Sequence, residues 1–199
     1  MPTSNIEFYW DAVSPYTYLA ATRIEPLAQR HGATLIWKPV LLGKVLEASG
    51  NRPPITVQSK GKYMFRDLTL WSRYYGVPLT MPSVFPTNSI TAMRIACGLP
   101  AAHCGRWAQA TMQAYWGRGQ DIGKPELLQE LAAGLGLDPQ ATLALAQEPA
   151  VKDQLKLNTE EAVQRGIFGA PAFFVDDTLF WGNDRLDLMD AYLAGKLNG

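Results

Sequence analysis

Ile6, Phe8 and Trp10 recur at every second position. Across Asp11-Ala12-Val13-Ser14-Pro15-Tyr16-Thr17-Tyr18 this alternation gives way to helical spacing. It predicts a strand with one buried face over about Ile6 to Trp10. Tyr16, Ala20, Ile24 and Leu27 share one face of the helix that follows, which runs to about His31. Ser14 before Pro15 reads as an N-cap with proline at the first helical position, where a missing N–H costs nothing. Pro26 removes one backbone bond inside the helix and bends it, and Gly32 stops it. A second apolar strand, Thr34 to about Val40, completes a βαβ unit, so parallel neighbours and a right-handed crossover are expected.

The strand-to-helix junction also offers chemistry. Beside Ser14 lie unpaired N–H groups and the positive end of the helix dipole, which suit a carboxylate, a phosphate or a thiolate. Taken alone, Ser14 reads first as a cap and only second as an anion site. The other reactive side chains point elsewhere. His31 sits at a helix end, where a cation complements the dipole. Cys97 and Cys104 have a C-x6-C spacing that is neither a redox nor a zinc motif, and with His103 they lack a fourth ligand. Ordinary buried cysteines are expected there, and no metal.

From about Leu41 to Leu157 the pattern becomes helical. Gly50-Asn51-Arg52-Pro53-Pro54 is a loop by composition. Helices are expected over Lys60 to Tyr75, Ser89 to Cys97, Gly105 to Tyr115, Pro125 to Leu135 and Asp138 to Ala146, with Asp138-Pro139 as a second cap-and-proline pair. Sheet then returns. A helix from Asn158 to Arg165 stops at Gly166, and Gly169-Ala170-Pro171 follows. Ala172 to Val175 and Leu179 to Trp181 flank an Asp176-Asp177 turn as a β-hairpin. Gly182-Asn183-Asp184 opens a last helix carrying Leu186, Met189 and Leu193 on one face, with Asp184 as its N-cap. Residues 1–40 and 158–199 are thus expected to form one unit, interrupted by an inserted helical domain over 41–157.

Composition limits the partners. Of 199 residues, 47% are hydrophobic and 18% charged, enough for a substantial core, and the formal net charge is zero. No basic excess points to nucleic acid and no basic run to a membrane surface. No apolar stretch approaches the roughly 18 residues of a bilayer span. Met1 to Glu7 lacks the layout of a signal peptide, so a soluble, cytoplasmic protein is expected.

The order of elements, βαβ, helices, then α-β-β-α, resembles a thioredoxin-like α/β fold with a large α-helical insertion. Several motifs occur in sequence: Ser14-Pro15-Tyr16, Gly50-Asn51-Arg52-Pro53-Pro54, Lys60-x-x-Tyr63-x-x-x-Asp67, Phe85-Pro86-x-Asn88, the Gly169-x-Pro171 turn and Trp181-Gly182-Asn183-Asp184-Arg185. Together they resemble the 2-hydroxychromene-2-carboxylate isomerases and the kappa-class glutathione transferases, relatives of the DsbA-type oxidoreductases. The resemblance spans nearly the whole chain. It implies a cis peptide bond before Pro171, glutathione as cofactor, a small aromatic substrate and a homodimer.

It also implies a site. In redox members two cysteines would stand at Ser14 and Thr17, and here neither is present, so the sulfur must come from outside. Ser14 is then the residue that stabilises a glutathione thiolate, with Pro15 and Tyr16 beside it. No histidine is placed to activate Ser14 as a nucleophile. The cysteinyl part pairs with the backbone of Ala170, whose N–H and C=O are expected to face outward, next to Pro171. Asn183 and Asp184 suit the γ-glutamyl end, with Trp181 and Gly182 beside them also expected to bind glutathione, and Asn51 and Lys60 match family positions near glutathione. Asn51 reads equally as a turn residue and Lys60 as a solvated helix lysine. Lys44 and Arg52 are candidate cations for a substrate carboxylate, with Asn88 also in the substrate region. Tyr63, Trp71 and Trp107 are expected in the core, whereas Phe85 and Trp116 fit either core or an aromatic pocket. The activity implied is a glutathione-dependent isomerisation of a hydroxychromene carboxylate or benzylidenepyruvate. The alternatives are conjugation of glutathione to electrophiles, as in the kappa class, and a non-catalytic glutathione or peptide-binding module.

Overall fold

A computed structural model describes residues 4–197. The sheet is built as the alternation requires. Strand β1 (Asn5–Trp10) runs parallel to β2 (Thr34–Pro39), and helix α1 (Pro15–Arg30) is the crossover between them. On its other side β1 pairs antiparallel with β3 (Ala172–Val175), which forms a hairpin with β4 (Thr178–Trp181), so the spatial order is β2-β1-β3-β4. This is the expected thioredoxin-like α/β fold with its large helical insertion.

Between β2 and β3 the chain forms α2 (Leu42–Ser49), α3 (Gln58–Tyr75), α4 (Ile90–Gly98), α5 (Ala101–Met112), α6 (Pro125–Gly134), α7 (Pro139–Leu145) and α8 (Pro149–Gln164). Asp138 caps α7 as its sequence predicts, accepting the Ala141 N–H at 2.7 Å. A short 3-10 turn, Asn183–Arg185, leads into the last helix, α9 (Leu186–Leu193). At the far end of α1, His31 and Arg30 both reach Asp190 of α9, at 2.8 and 2.9 Å. No helix among the described residues is long and apolar enough to cross a membrane.

Two expectations need correction here. β1 is buried on both faces: Ile6, Phe8 and Trp10 join the main core, while Tyr9 lies in a second cluster with Val40, Val45, Ala162, Ile167 and Phe174. A central strand covered by helices on both sides has no solvent face to keep polar. The helix expected to start at Asn158 begins at Pro149 and runs unbroken past residue 157. Its buried stripe includes Asn158 and Thr159, which lack the apolar signal that marks a helix face. Both are occupied at the end of β2. The Asn158 Nδ2 donates to Pro39 O at 3.1 Å and Thr159 Oγ1 accepts the Leu41 N–H at 3.1 Å.

The inserted helices and the sheet share one core. Ile6, Phe8 and Trp10 of β1 and Ile24 of α1 pack in one cluster with Met93 of α4, Trp107 of α5 and Phe173 of β3. A close approach is at Gly105 of α5, where a Cβ would lie 2.6 Å from Trp37 Nε1 and 3.2 Å from Glu25 Oε1. The indole is fixed edge-on against Trp10, with ring centroids 5.9 Å apart, so it has little room to retreat. Gly105→Ala should therefore destabilise the fold by about 1–3 kcal/mol through overpacking, read as a lower urea midpoint with an unchanged slope.

Candidate functional site

Ser14 closes the N-terminus of α1 in extended conformation, and its Oγ accepts the Thr17 N–H at 3.2 Å. The same hydroxyl donates to Ala170 O at 3.0 Å, a contact between residues far apart in the chain. Ser14 is buried, at 4% exposure. It lies directly against the turn before β3, where the Ala170–Pro171 bond is cis as expected. A second cis bond, Phe85–Pro86, lies in the connector before α4.

What holds Ser14 in place is Asp11, a buried carboxylate. One of its oxygens accepts the Val13 N–H at 3.1 Å and the other the Leu42 N–H at 2.9 Å, with the Ser89 side chain as a further partner. Three stretches distant in the chain thus meet on one carboxyl group. Burial holds its pKa above the ordinary carboxylate range, opposed by the three donors. A second brace comes from the insertion. Past Met112 the helix widens into a π-helical turn over Gln113–Gly117. There Trp116 is buried, and its Nε1 donates to Ala12 O at 2.9 Å. Phe85 stands edge-on to Trp116, half-buried. Of the two expected roles for Trp116, the structure shows core.

Around Ser14 the structure gathers most of the residues expected there. Gly182 N donates to Pro171 O at 3.0 Å, which brings the start of the 3-10 turn beside the cis bond. Gly182 has φ +107°, a conformation side chains rarely adopt. Trp181 lies over Gly169 and against the Phe168 ring, with centroids 4.7 Å apart. Asn51 donates from Nδ2 to Phe168 O at 2.9 Å while its Oδ1 accepts the Arg52 N–H. The loop after α2 is thereby tied to the chain leading into the cis bond. Tyr16 donates to Asp67 Oδ2 at 2.8 Å. Burial and then that hydrogen bond push the Tyr16 phenol up, so it stays protonated at neutral pH. Tyr16 and Lys60 line a mainly apolar cavity of about 340 Å³ with Pro54, Ser59, Tyr63 and Met64.

Several expectations change. The Ala170 carbonyl is not free, since Ser14 occupies it, whereas no described hydrogen bond uses the Ala170 N–H. Asp184 does not cap the last helix. A 3-10 turn intervenes, α9 starts after Arg185 with no side-chain cap, and the Asp184 carboxylate pairs with Arg185 at 2.6 Å. The N–H groups of Asn183 and Asp184 have no partner among the described hydrogen bonds. Lys44 forms an exposed pair with Glu47 at 2.8 Å, Asn88 accepts the Ile90 N–H at the start of α4, and Arg52 is exposed. The side chains of these three are not drawn into the group around Ser14 by any described contact, and Arg52 meets it only through its backbone N–H on Asn51. Tyr63 is 67% exposed rather than core, its hydroxyl 3.5 Å from Asp67, while Trp107 is fully buried. Burial raises the Cys97 and Cys104 thiols to about 12, and no group of metal-ligating side chains forms among the described residues.

Three contributors escape sequence reasoning. Asp11 carries one signal, a lone acid between apolar residues just before an N-cap. Asp67 stands in a recognised spacing with Lys60 and Tyr63, which does not reveal that it receives Tyr16. Tyr75, whose hydroxyl donates to Asn183 O at 3.3 Å, carries none.

A family model described as a DSBA-like thioredoxin domain matches residues 5–194. A 2-hydroxychromene-2-carboxylate isomerase of Sphingobium xenophagum is 37% identical over 194 residues, covering 96% of this chain and 98% of its own. Glutathione S-transferase kappa 1 of Homo sapiens is 29% identical over 206 residues, covering 96% and 91%. A solved structure of a 2-hydroxychromene-2-carboxylate isomerase superposes with a TM-score of 0.89 at 29% identity, covering 96% of this chain and 95% of its own. The relatives so named are enzymes.

Asp11→Ala strands half-buried N–H donors at two chain segments. It should lower the unfolding free energy by about 2–4 kcal/mol, measured by urea denaturation, with Asp11→Asn recovering part of the loss.

Proposed function

The chain belongs to the DSBA-like thioredoxin domain family, among the 2-hydroxychromene-2-carboxylate isomerases and kappa-class glutathione transferases, and from this we propose that it is a glutathione-dependent isomerase. The substrate class is a hydroxychromene carboxylate or a benzylidenepyruvate. The observation that carries the reading is a hydroxyl, Ser14, at the start of α1 beside a cis-proline turn whose Ala170 N–H is unpaired. No cysteine stands at position 14 or 17, so any thiolate held there belongs to a ligand.

The unpaired groups fit a short peptide with two carboxylates and an amine. Ala170 N–H receives the cysteinyl carbonyl, as a strand edge receives an added strand. The Asn183 and Asp184 N–H groups receive the γ-glutamyl carboxylate, and Asp184 its ammonium. Lys60 neutralises the glycyl carboxylate, with Asn51, Trp181 and Gly182 shaping the walls and Pro15, Tyr16 and Pro171 the floor. Glutathione, when bound, would supply a thiolate whose sulfur can form a bond to a conjugated carbon as the C=C π pair moves onto the carbonyl, the pair returning to expel the thiolate after rotation, with no net change in composition. Ser14 and the dipole of α1 stabilise that negative sulfur. Tyr16, held protonated by burial and Asp67, is a hydrogen-bond donor and not a base. For the substrate carboxylate Arg52 is the favoured cation, because Lys44 is engaged with Glu47 and Asn88 with the start of α4.

The second reading, conjugation to electrophiles, is favoured by the similarity to a kappa-class transferase. Both use the same thiolate. Incubation with glutathione and either a hydroxychromene carboxylate or a chlorinated nitroaromatic separates them. Isomerisation of the first is expected, and turnover of the nitroaromatic alone would overturn the proposal. Ser14→Ala should slow isomerisation by about 100-fold or more, the usual cost of one donor at a developing anion.

The same family membership supports a homodimer. Ile55, Val57, Tyr63, Leu70 and Tyr74 are all exposed on α3 and the segment before it, a composition that suits an interface. Sedimentation equilibrium should give twice the chain mass, with Leu70→Glu and Tyr74→Glu together shifting it toward the monomer.

A further inference from the structure

The Ser14 hydroxyl has a single proton, and it is committed to Ala170 O at 3.0 Å. Its oxygen meanwhile accepts the Thr17 N–H at 3.2 Å. The freedom left to the group is rotation of the O–H bond, which makes one strong, near-linear hydrogen bond at a time. Ser14 is buried, so water is a poor substitute for either partner. A sulfur brought to the start of α1 therefore competes with Ala170 O for this one proton.

Turning the hydroxyl away strands the carbonyl. Ala170 is itself half-buried, between the buried Gly169 and Pro171, and its oxygen has no other partner among the described hydrogen bonds. A stranded carbonyl in such a setting carries a penalty, which opposes donation to sulfur. The penalty disappears when a peptide lies antiparallel along the turn. One residue of an antiparallel pair exchanges both of its backbone bonds with the residue opposite. Its C=O would take the free Ala170 N–H, and its N–H would take Ala170 O.

We propose that Ser14 is a switch operated by the ligand's own peptide N–H: the amide replaces the hydroxyl at Ala170 O, and Ser14 then donates to the sulfur of the same ligand. This rests on the glutathione reading above and adds a rule of specificity to it. The site activates a thiol carried on an amide-bearing residue, and a thiol without that N–H is held by the helix dipole but lacks the hydroxyl. Ala170 O accepts one hydrogen bond before and one after. Ser14 keeps its own proton throughout, and the thiol proton passes to bulk water.

The test compares two ligands in the native, full-length protein. One is glutathione. The other is its depsipeptide analogue, in which an ester oxygen replaces the cysteinyl N–H. Each bound thiol is titrated through its ultraviolet thiolate band, with occupancy checked by calorimetry. The glutathione thiol should ionise about one pH unit below the analogue's, a tenfold difference in thiolate fraction. In Ser14→Ala the two thiols should titrate together, at higher pH. Coincident titrations in the native protein would overturn the switch while leaving glutathione binding intact. Failure of the analogue to bind at high millimolar concentration would also overturn it, since the N–H would then serve affinity and not activation. Failure of glutathione itself to bind would overturn both readings.

Discussion

A buried carboxylate that accepts from three separate stretches of chain is the joint on which the front of this molecule turns. Asp11 receives the Val13 N–H ahead of α1, the Leu42 N–H at the start of α2, and the Ser89 side chain ahead of α4. Helix starts concentrate unpaired N–H groups, and two here converge on one acceptor with no salt-bridge partner among the described residues. The carboxyl group gains no ion pair to offset its burial, and its pKa is raised accordingly. Its hydrogen bonds hold the turn that presents Ser14. The buried acid is a structural cost borne at the turn that carries Ser14.

Ser14 makes two contacts at once, one local and one across the fold. It caps α1 through Thr17 N–H, so the residue stabilises the helix whether or not a ligand is present. It also reaches the cis-proline turn, which no local pattern contains. A cap aligns a side-chain oxygen with the helix axis, and the same alignment places it where the dipole favours negative charge. Tyr16 and Asp67 extend the arrangement along α1 and α3. Their hydrogen bond commits the phenol proton to Asp67, while the Tyr16 side chain lines the cavity that Lys60 also lines.

The first βαβ unit was readable because each part carries its own signal: a period of two, a cap with proline, a period near four, a glycine stop. The first half of α8 was not, because it buries only Val151 and Leu155 before the stripe turns polar at Asn158 and Thr159, whose partners sit at the end of β2. Hydrophobic period cannot report a polar side chain buried to satisfy another element's backbone. Asp184 misled for a related reason. An acid before an apolar run is a good cap in sequence, but Gly182 at φ +107° turns the chain through a 3-10 segment first. Ser14, Ala170 and Asn183 were found through motif order, and their geometry was not. The hydrogen bond between Ser14 and Ala170 spans the chain and depends on the whole sheet being in register.

The π-helical turn after α5 carries a consequence of its own. By widening there, the insertion sends Trp116 into the loop before Ser14, where its indole N–H holds Ala12 O. The inserted helices are then part of the support for the turn that carries Ser14 and not an appendage to the sheet. Disturbance in α5 has a direct mechanical path to that turn, so the two regions share one cooperative fate.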